Sequence, residues 1–221
     1  LLSGTGARGA LAERLVALRA ELRAAGGRIV LFIDELHNLL SYNKIFTKRT
    51  ATIGIIPPEL AIGYALTGPN LRGSGIKWDT RKEDPYCGYE KYAFDVPVGQ
   101  GRFGPIGSCW DRYYVRVEEM RQSLRIIEQA MEQMEPGPTV SALRRITRPP
   151  KGETYMRTES PRGDFGVFLV SDGSDKPYRV KVRAPSFANL QALQHLFRNA
   201  YVADAVVILG SIDIILGEVD R

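Results

Sequence analysis

The chain has 221 residues, 44% apolar and 25% charged, with 30 Lys and Arg against 25 Asp and Glu. That length and apolar share suit one large packed domain or two small ones, and they exclude disordered, collagen-like and low-complexity classes. No apolar run reaches the roughly 18–20 residues of a membrane-crossing helix. Cys87 and Cys109 form no Cys-x-x-Cys pair and no disulfide framework, so a reduced, cytosolic setting is expected. Nothing at the start reads as a signal peptide, and a first residue of Leu1 rather than methionine leads us to expect a fragment.

The elements follow from spacing. Leu11, Leu15, Leu18 and Leu22 predict a helix over 9–25, stopped by Gly26-Gly27. Ile29 to Ile33 is a short apolar run, read as a buried strand that ends at Asp34 and Glu35. Residues 38–50 read as helical or extended. Pro57-Pro58-Glu59 is a helix start, because proline is tolerated in a first turn. The glycine- and proline-rich stretch 67–108 is expected to be mostly loop lying along another surface. Trp110, Tyr113, Val117, Leu124, Ile127, Met131 and Met134 keep helical spacing over 110–134, and Pro136-Gly137-Pro138 ends that helix. A Pro-rich connector runs over 136–152. Strand character appears over 154–183, with Phe165–Val170 and Tyr178–Arg183 joined by the turn 172–177. Two further helices are expected near 187–197 and 201–209, followed by a tail from Gly210 to Arg221. The fold class is therefore α+β, predominantly helical, with one small antiparallel sheet.

Charge is unevenly spread. Residues 136–183 carry ten Lys and Arg against five acids, between mildly acidic stretches. Such a block suits an anionic surface or an acidic partner. No stacking motif or DNA-binding pattern accompanies it, so no nucleic-acid partner is expected. Arg112, Arg116, Arg121 and Arg125 recur with Glu118, Glu119 and Glu128 along the long helix, read as a solvated face or a contact with another subunit. The lone His37 and His195 and the two isolated cysteines have no ligand partners at suitable spacing, so no metal is expected in this chain.

Two resemblances add to this reading. Gly4-Thr5-Gly6-Ala7-Arg8-Gly9, Glu13-Arg14-Leu15 and Leu31-Phe32-Ile33-Asp34-Glu35-Leu36-His37 resemble the first ATPase module of the Clp-type AAA+ unfoldases. That resemblance maps the Mg²⁺-side carboxylate of a Walker B strand to Asp34 and the water-orienting one to Glu35. No GxxxxGK[ST] phosphate loop occurs in the chain, and Ala7 stands where the family has its pore-loop aromatic. Residues 1–38 are therefore expected to form a helix–strand unit that packs rather than hydrolyses ATP.

The second resemblance spans about 39–221. It rests on Asn43-Lys44-Ile45-Phe46, Thr67-Gly68-Pro69-Asn70-Leu71-Arg72-Gly73-Ser74-Gly75, Trp78-Asp79-Thr80-Arg81-Lys82, Phe94-Asp95-Val96-Pro97-Val98-Gly99, Arg116-Val117-Glu118-Glu119-Met120-Arg121, Pro161-Arg162-Gly163-Asp164, Arg183-Ala184-Pro185-Ser186-Phe187 and the closing run Gly210 to Arg221. This part looks like the C-terminal half of the 49-kDa (D-type) subunit family of NADH-quinone oxidoreductase, respiratory complex I. The resemblance implies a quinone-site component of an enzyme that passes electrons from NADH to quinone and couples this to ion translocation. It implies subunits of the B and C types and the membrane arm as partners, quinone as substrate, and a peripheral place on the cytoplasmic face of the inner (plasma) membrane. It also implies a quinone site built from Asp213, Val219 and Arg72, with Asp213 as the proton-handling carboxylate. The residues read by themselves also allow Asp213 to be a cap or arginine partner that only holds the tail, and Arg72 to be a charge near the neighbouring cluster-bearing subunit or a clamp on a backbone carbonyl. The family is similar to the large subunit of nickel–iron hydrogenases. The two nickel-ligand cysteines that follow the aspartate in those enzymes fall on Ile215 and Glu218 here, so neither metal nor iron–sulfur cluster is expected. The chain alone is expected to have no activity. The alternatives carried forward are an AAA+ ATPase fragment and a non-enzymatic fusion or designed chain.

Overall fold

The computed structural model of the chain describes residues 41–134, 137 and 148–220. The helix at 9–25, the strand at 29–33, Asp34, Glu35, His37 and most of the 136–152 connector lie outside the described residues. Within them the order is α1 (Lys44–Thr50), α2 (Pro58–Gly63), α3 (Pro69–Gly73), α4 (Thr80–Glu83), a 3-10 turn (Tyr89–Lys91), α5 (Cys109–Gln133), β1 (Gly152–Ser160), β2 (Gly163–Ser171), β3 (Arg179–Arg183), α6 (Pro185–Gln191), α7 (Leu193–Leu196), α8 (Val202–Ile212) and α9 (Leu216–Val219). The α+β expectation holds.

The 25-residue α5 is the spine. Ser108 caps its start by accepting from the backbone N–H of Asp111 at 3.2 Å, the arrangement that satisfies an orphan N–H of a first turn. Asp111 in turn accepts from the N–H groups of Gln100, Gly101 and Gly107 at 3.1–3.3 Å. Further along, Gln129 pins both the N–H and the C=O of Ala93 at 2.8 Å, and Gln122 takes the N–H of Asp95. The glycine- and proline-rich stretch is thus a loop laid against α5, as expected, although α3 and α4 and the 3-10 turn interrupt it. The expected apolar stripe is only half used. Trp110 and Val117 are buried, while Ile127 and Met134 are exposed.

The sheet is an antiparallel meander, β1-β2-β3. Met156 pairs with Val167 and Val167 with Val182, so apolar residues alternate onto one face. The main core is elsewhere, where Ile56, Leu66, Leu71, Leu193, Ile208 and Ile212 from the helical part meet. Two expectations are corrected. The helix expected at 187–197 is two helices broken at Ala192, starting earlier because Pro185 supplies the first-turn φ. The expected tail is partly helical: α8 continues to Ile212, and Leu216–Val219 forms α9.

A close approach joins the two parts. Gly68 has φ +66° and ψ −148°, a region open essentially to glycine alone. A Cβ there would lie 2.5 Å from the Cα of Gly163, the first residue of β2 after the β1–β2 turn. This contact seats the turn beside α3. Gly68→Ala is expected to cost about 1–3 kcal/mol from the backbone conformation alone, read as a lowered midpoint in urea unfolding.

Candidate functional site

Arg72 lies in the last turn of the buried α3, which starts with Pro69 in its first turn. Its side chain is 1% exposed. Nε donates to Glu119 Oε1 of α5 at 2.5 Å, and Nη1 donates to Glu159 Oε1 of β1 at 2.9 Å and to the Trp78 carbonyl at 3.0 Å. Asp79 adds a third carboxylate at 3.4 Å. Asp79 is itself held at both oxygens by Arg81, at 2.9 and 2.7 Å. Burial alone would weaken the protonated guanidinium of Arg72, but the carboxylates around it outweigh burial and raise its pKa. Glu119 goes the other way: burial raises its carboxyl pKa more than Arg72 lowers it.

Asp79 has a clear pH consequence. Burial acts to raise its pKa, and the bonds from Arg81 with the charge of Arg72 overcome that and hold it below the usual 3.8. A depressed native pKa means that the stabilisation is present above the unfolded value and lost as pH falls through the folded one. Acid unfolding is therefore expected to steepen below about pH 4, and Asp79→Asn to flatten that limb in a pH series of urea melts.

The second half of the site forms where α8 ends. Asp213 is left-handed, φ 56° and ψ 56°, and caps α8 through its N–H to the Gly210 carbonyl. Aspartate is one of the few side chains that tolerate this conformation. Arg116 from α5 donates to the carbonyls of Ser211 at 2.9 Å and Ile212 at 3.1 Å, and Asn70 also reaches Ile212 at 3.0 Å. A cation at a helix C-terminus meets unpaired carbonyls and the negative end of the dipole. The Asp213 carboxylate, 41% exposed, stands 3.8 Å from Arg116 Nε and 3.5 Å from Arg162 Nη2 of the β1–β2 turn. Arg116 Nε has no hydrogen-bond partner among the described residues, and burial pushes the Arg116 guanidinium down to about 10 against the pull of Asp213.

These groups line one cavity of about 450 Å³, walled by Arg72, Arg81, Arg116, Glu119, Glu159 and Asp213. The structure thus brings Arg72 and Asp213 together from positions 141 residues apart. Val219 is not part of that cavity. It lines a separate one of about 310 Å³ with Val182, Phe187 and Ala188. Glu218, at the position of a hydrogenase nickel ligand, accepts from the Ser186 hydroxyl. Among the described residues no group of three or more His, Cys, Asp or Glu is arranged to hold a metal ion. Cys109 is buried, and Cys87 and His195 are exposed.

The reading of the arginines on α5 as a solvated face is corrected at its first half. Arg112 is fully buried and donates to the Gly107 carbonyl at 2.6 Å and to Ser211 Oγ at 2.7 Å, and Arg116 turns inward. Arg121 pairs with Glu118 along the helix and Arg125 reaches Asp95 near solvent. Sequence reasoning also left Glu119, Glu159, Asp79 and Arg162 out of the site. A signal was present for one of them: Arg112, Arg116, Glu119 and Gln122 recur at helical spacing, a polar stripe beside the apolar one. The other three lie away from α5, Asp79 just before α4 and Glu159 and Arg162 in the β1–β2 hairpin, so helical spacing carries no trace of them.

The comparisons fit this arrangement. A family profile described as "Respiratory-chain NADH dehydrogenase, 49 Kd subunit" matches residues 17–151 and 139–221. It begins upstream of residue 38 and takes in the Leu31–Glu35 run. The first D-type subunit of NADH-quinone oxidoreductase from Roseiflexus sp. (strain RS-1) is 47% identical over 198 residues, 86% of this chain and 52% of that protein. The second D-type subunit from Solibacter usitatus (strain Ellin6076) is 43% identical over 213 residues, 96% of this chain and 56% of that protein. The D-type subunit from Paracidovorax citrulli (strain AAC00-1) is 44% identical over 216 residues, 86% and 51%. The chain spans about half the length of the curated relatives it matches. With matches of this extent across both halves of the cavity, the chain belongs to the 49-kDa subunit family of respiratory-chain NADH dehydrogenase, the family of the D-type subunits of NADH-quinone oxidoreductase.

Proposed function

We propose that this chain is the quinone-site half of a complex I 49-kDa subunit, acting within an enzyme that passes electrons from NADH to quinone and couples the transfer to ion translocation. The observation that carries this reading is the Asp213 carboxylate, set between two guanidiniums on the wall of a cavity in a chain of this family. Quinone reduction to hydroquinone takes up two electrons and two protons. A carboxylate at the cavity wall is chemically suited to hold or hand on one of those protons. Asp213 serves that role in this reading. Arg72 sets the charge of the same cavity by fixing Glu119 and Glu159, and Val219 contributes apolar wall from its neighbouring cavity. Electrons reach the quinone through cofactors of other subunits.

The partners on this reading are subunits of the B and C types and the membrane arm, and the chain has no activity by itself. It sits peripherally at the cytoplasmic face of the inner membrane. No helix among the described residues is long and apolar enough to cross a bilayer. Co-purification with the cluster-bearing B-type subunit tests the assignment. Equal amounts in one peak, kept in Asp213→Ala, support an interface of the 49-kDa type. A folded chain that never binds the B-type partner refutes it.

A further inference from the structure

The helix α8 is amphipathic the wrong way round for a surface helix. Its polar side chains face in: Asp204 is 6% exposed and bonds Arg49 at 2.8 Å, and Ser211 accepts from Arg112. Ile208 and Ile212 on that side are buried. The outward face is apolar, with Val202 at 92%, Val206 at 77% and Leu209 at 39% exposure. Ala203 and Gly210 share that face and are exposed, and a Cβ on Gly210 would meet no atom within 4 Å. Residues 202, 203, 206, 209 and 210 follow i, i+1, i+4, i+7 and i+8, one stripe down a helix. A helix with buried isoleucines and paired polar groups on one side and an exposed apolar stripe on the other calls for cover on that outer side as well, and small residues on such a stripe leave room for another backbone to come close.

We propose that the outward stripe of α8 is a helix-packing seam, occupied by an apolar helical face from the part of a family-length 49-kDa subunit that this chain does not span. The relatives supply the occupant: nearly half of their length lies outside the match. Lipid does not fit. Eleven residues of helix reach about 16 Å at 1.5 Å per residue, about half the thickness of a bilayer core. The seam rests on family membership and not on quinone binding.

The test reads accessibility at the seam. Val206→Cys is placed in a Cys87→Ser background, Cys109 being buried. Maleimide labelling is timed in this chain alone and in a family-length chimera, where the chain replaces the matching part of the Roseiflexus protein. A second thiol, Ser174→Cys in the exposed 172–177 turn, serves as reference. Labelling at 206 is expected to be at least tenfold slower in the chimera, with the reference rate unchanged. Equal rates at 206 in a folded chimera overturn the seam. Concentration-dependent protection in the chain alone makes a second copy the occupant and overturns the proposal too. Should the chimera fail to fold, the unmatched part of the Roseiflexus protein is supplied as a separate polypeptide. Co-purification lost on Val206→Glu supports the seam, while no co-purification, or co-purification that survives the substitution, refutes it. No arm depends on quinone, so a failure here leaves the functional reading standing.

Discussion

Arg72→Ala is expected to destabilise the fold by about 3–5 kcal/mol, the usual cost of breaking a buried ion pair from one side. The reason is the number of groups left behind. Glu119, Glu159 and Asp79 all face the Arg72 guanidinium, which is almost wholly buried, as are Glu159 and Asp79. Asp79 keeps Arg81, and Glu159 keeps the N–H of Thr80 at 3.3 Å. Among the described residues Glu119 has no comparable second donor and depends on Arg72. Domain stabilities run to about 5–15 kcal/mol, so the variant should be near its limit at neutral pH. The pH trend gives the mechanism away. Burial already raises the Glu119 carboxyl pKa in the native protein, and removing Arg72 takes away the charge that opposes it. A raised native pKa means that the folded state holds the proton more tightly than the unfolded chain, so the deficit shrinks as pH falls through that value. Urea melts across pH 5–8 should show the gap between variant and parent narrowing toward the acid end. A constant gap would point to lost packing instead. Arg72→Lys should fall between the two, since an ammonium lacks the planar fork that serves several carboxylates at fixed angles.

Asp213→Asn should leave the fold nearly unchanged and cut quinone reduction by about 10²-fold or more, the range for removing a proton-transfer group. The side chain is 41% exposed, and its pairs with Arg116 and Arg162 are long, so little stability is at stake. The main anchors of this corner are the Arg116 and Asn70 bonds to the α8 carbonyls, which do not involve the carboxylate. The measurement is NADH-driven quinone reduction by an assembled enzyme carrying the variant, with thermal unfolding beside it. An artificial acceptor that takes electrons before quinone should be reduced at the parental rate. Loss of activity with both acceptors would mean failed assembly. Full quinone reduction at an unchanged midpoint would remove Asp213 from the proton path.

Much of the local structure is legible from spacing. The seven apolar positions from Trp110 to Met134, with Pro136-Gly137-Pro138 after them, predict a long helix because 3.6-residue periodicity and a proline stop are local properties. The turn at 172–177 and its flanking strands are read for the same reason. Pro57-Pro58 marks α2, since the start of a helix leaves N–H groups unpaired in any case. The break at Ala192 escapes such a reading because no proline or glycine stands there. Ala192 itself keeps αR dihedrals and is fully buried, so nothing local to the segment announces the break.

The family resemblance singles out Asp213 and Arg72, but as separate residues. Three features belong to the tertiary structure. It turns Arg112 and Arg116 inward, because α5 is packed on two sides and the polar stripe faces the end of α8. It converges Asp79, Glu119 and Glu159 on one guanidinium from a loop, a helix and a strand. It places Val219 in a different cavity from Asp213, although the two are six positions apart, because α9 turns the chain aside. Elements, class and family can be read along the chain, because they depend on short-range backbone preferences and on residue identity. Which charges meet is settled only by packing in three dimensions, since a charge buried by folding must find its counter-ion wherever the chain crossing brings one.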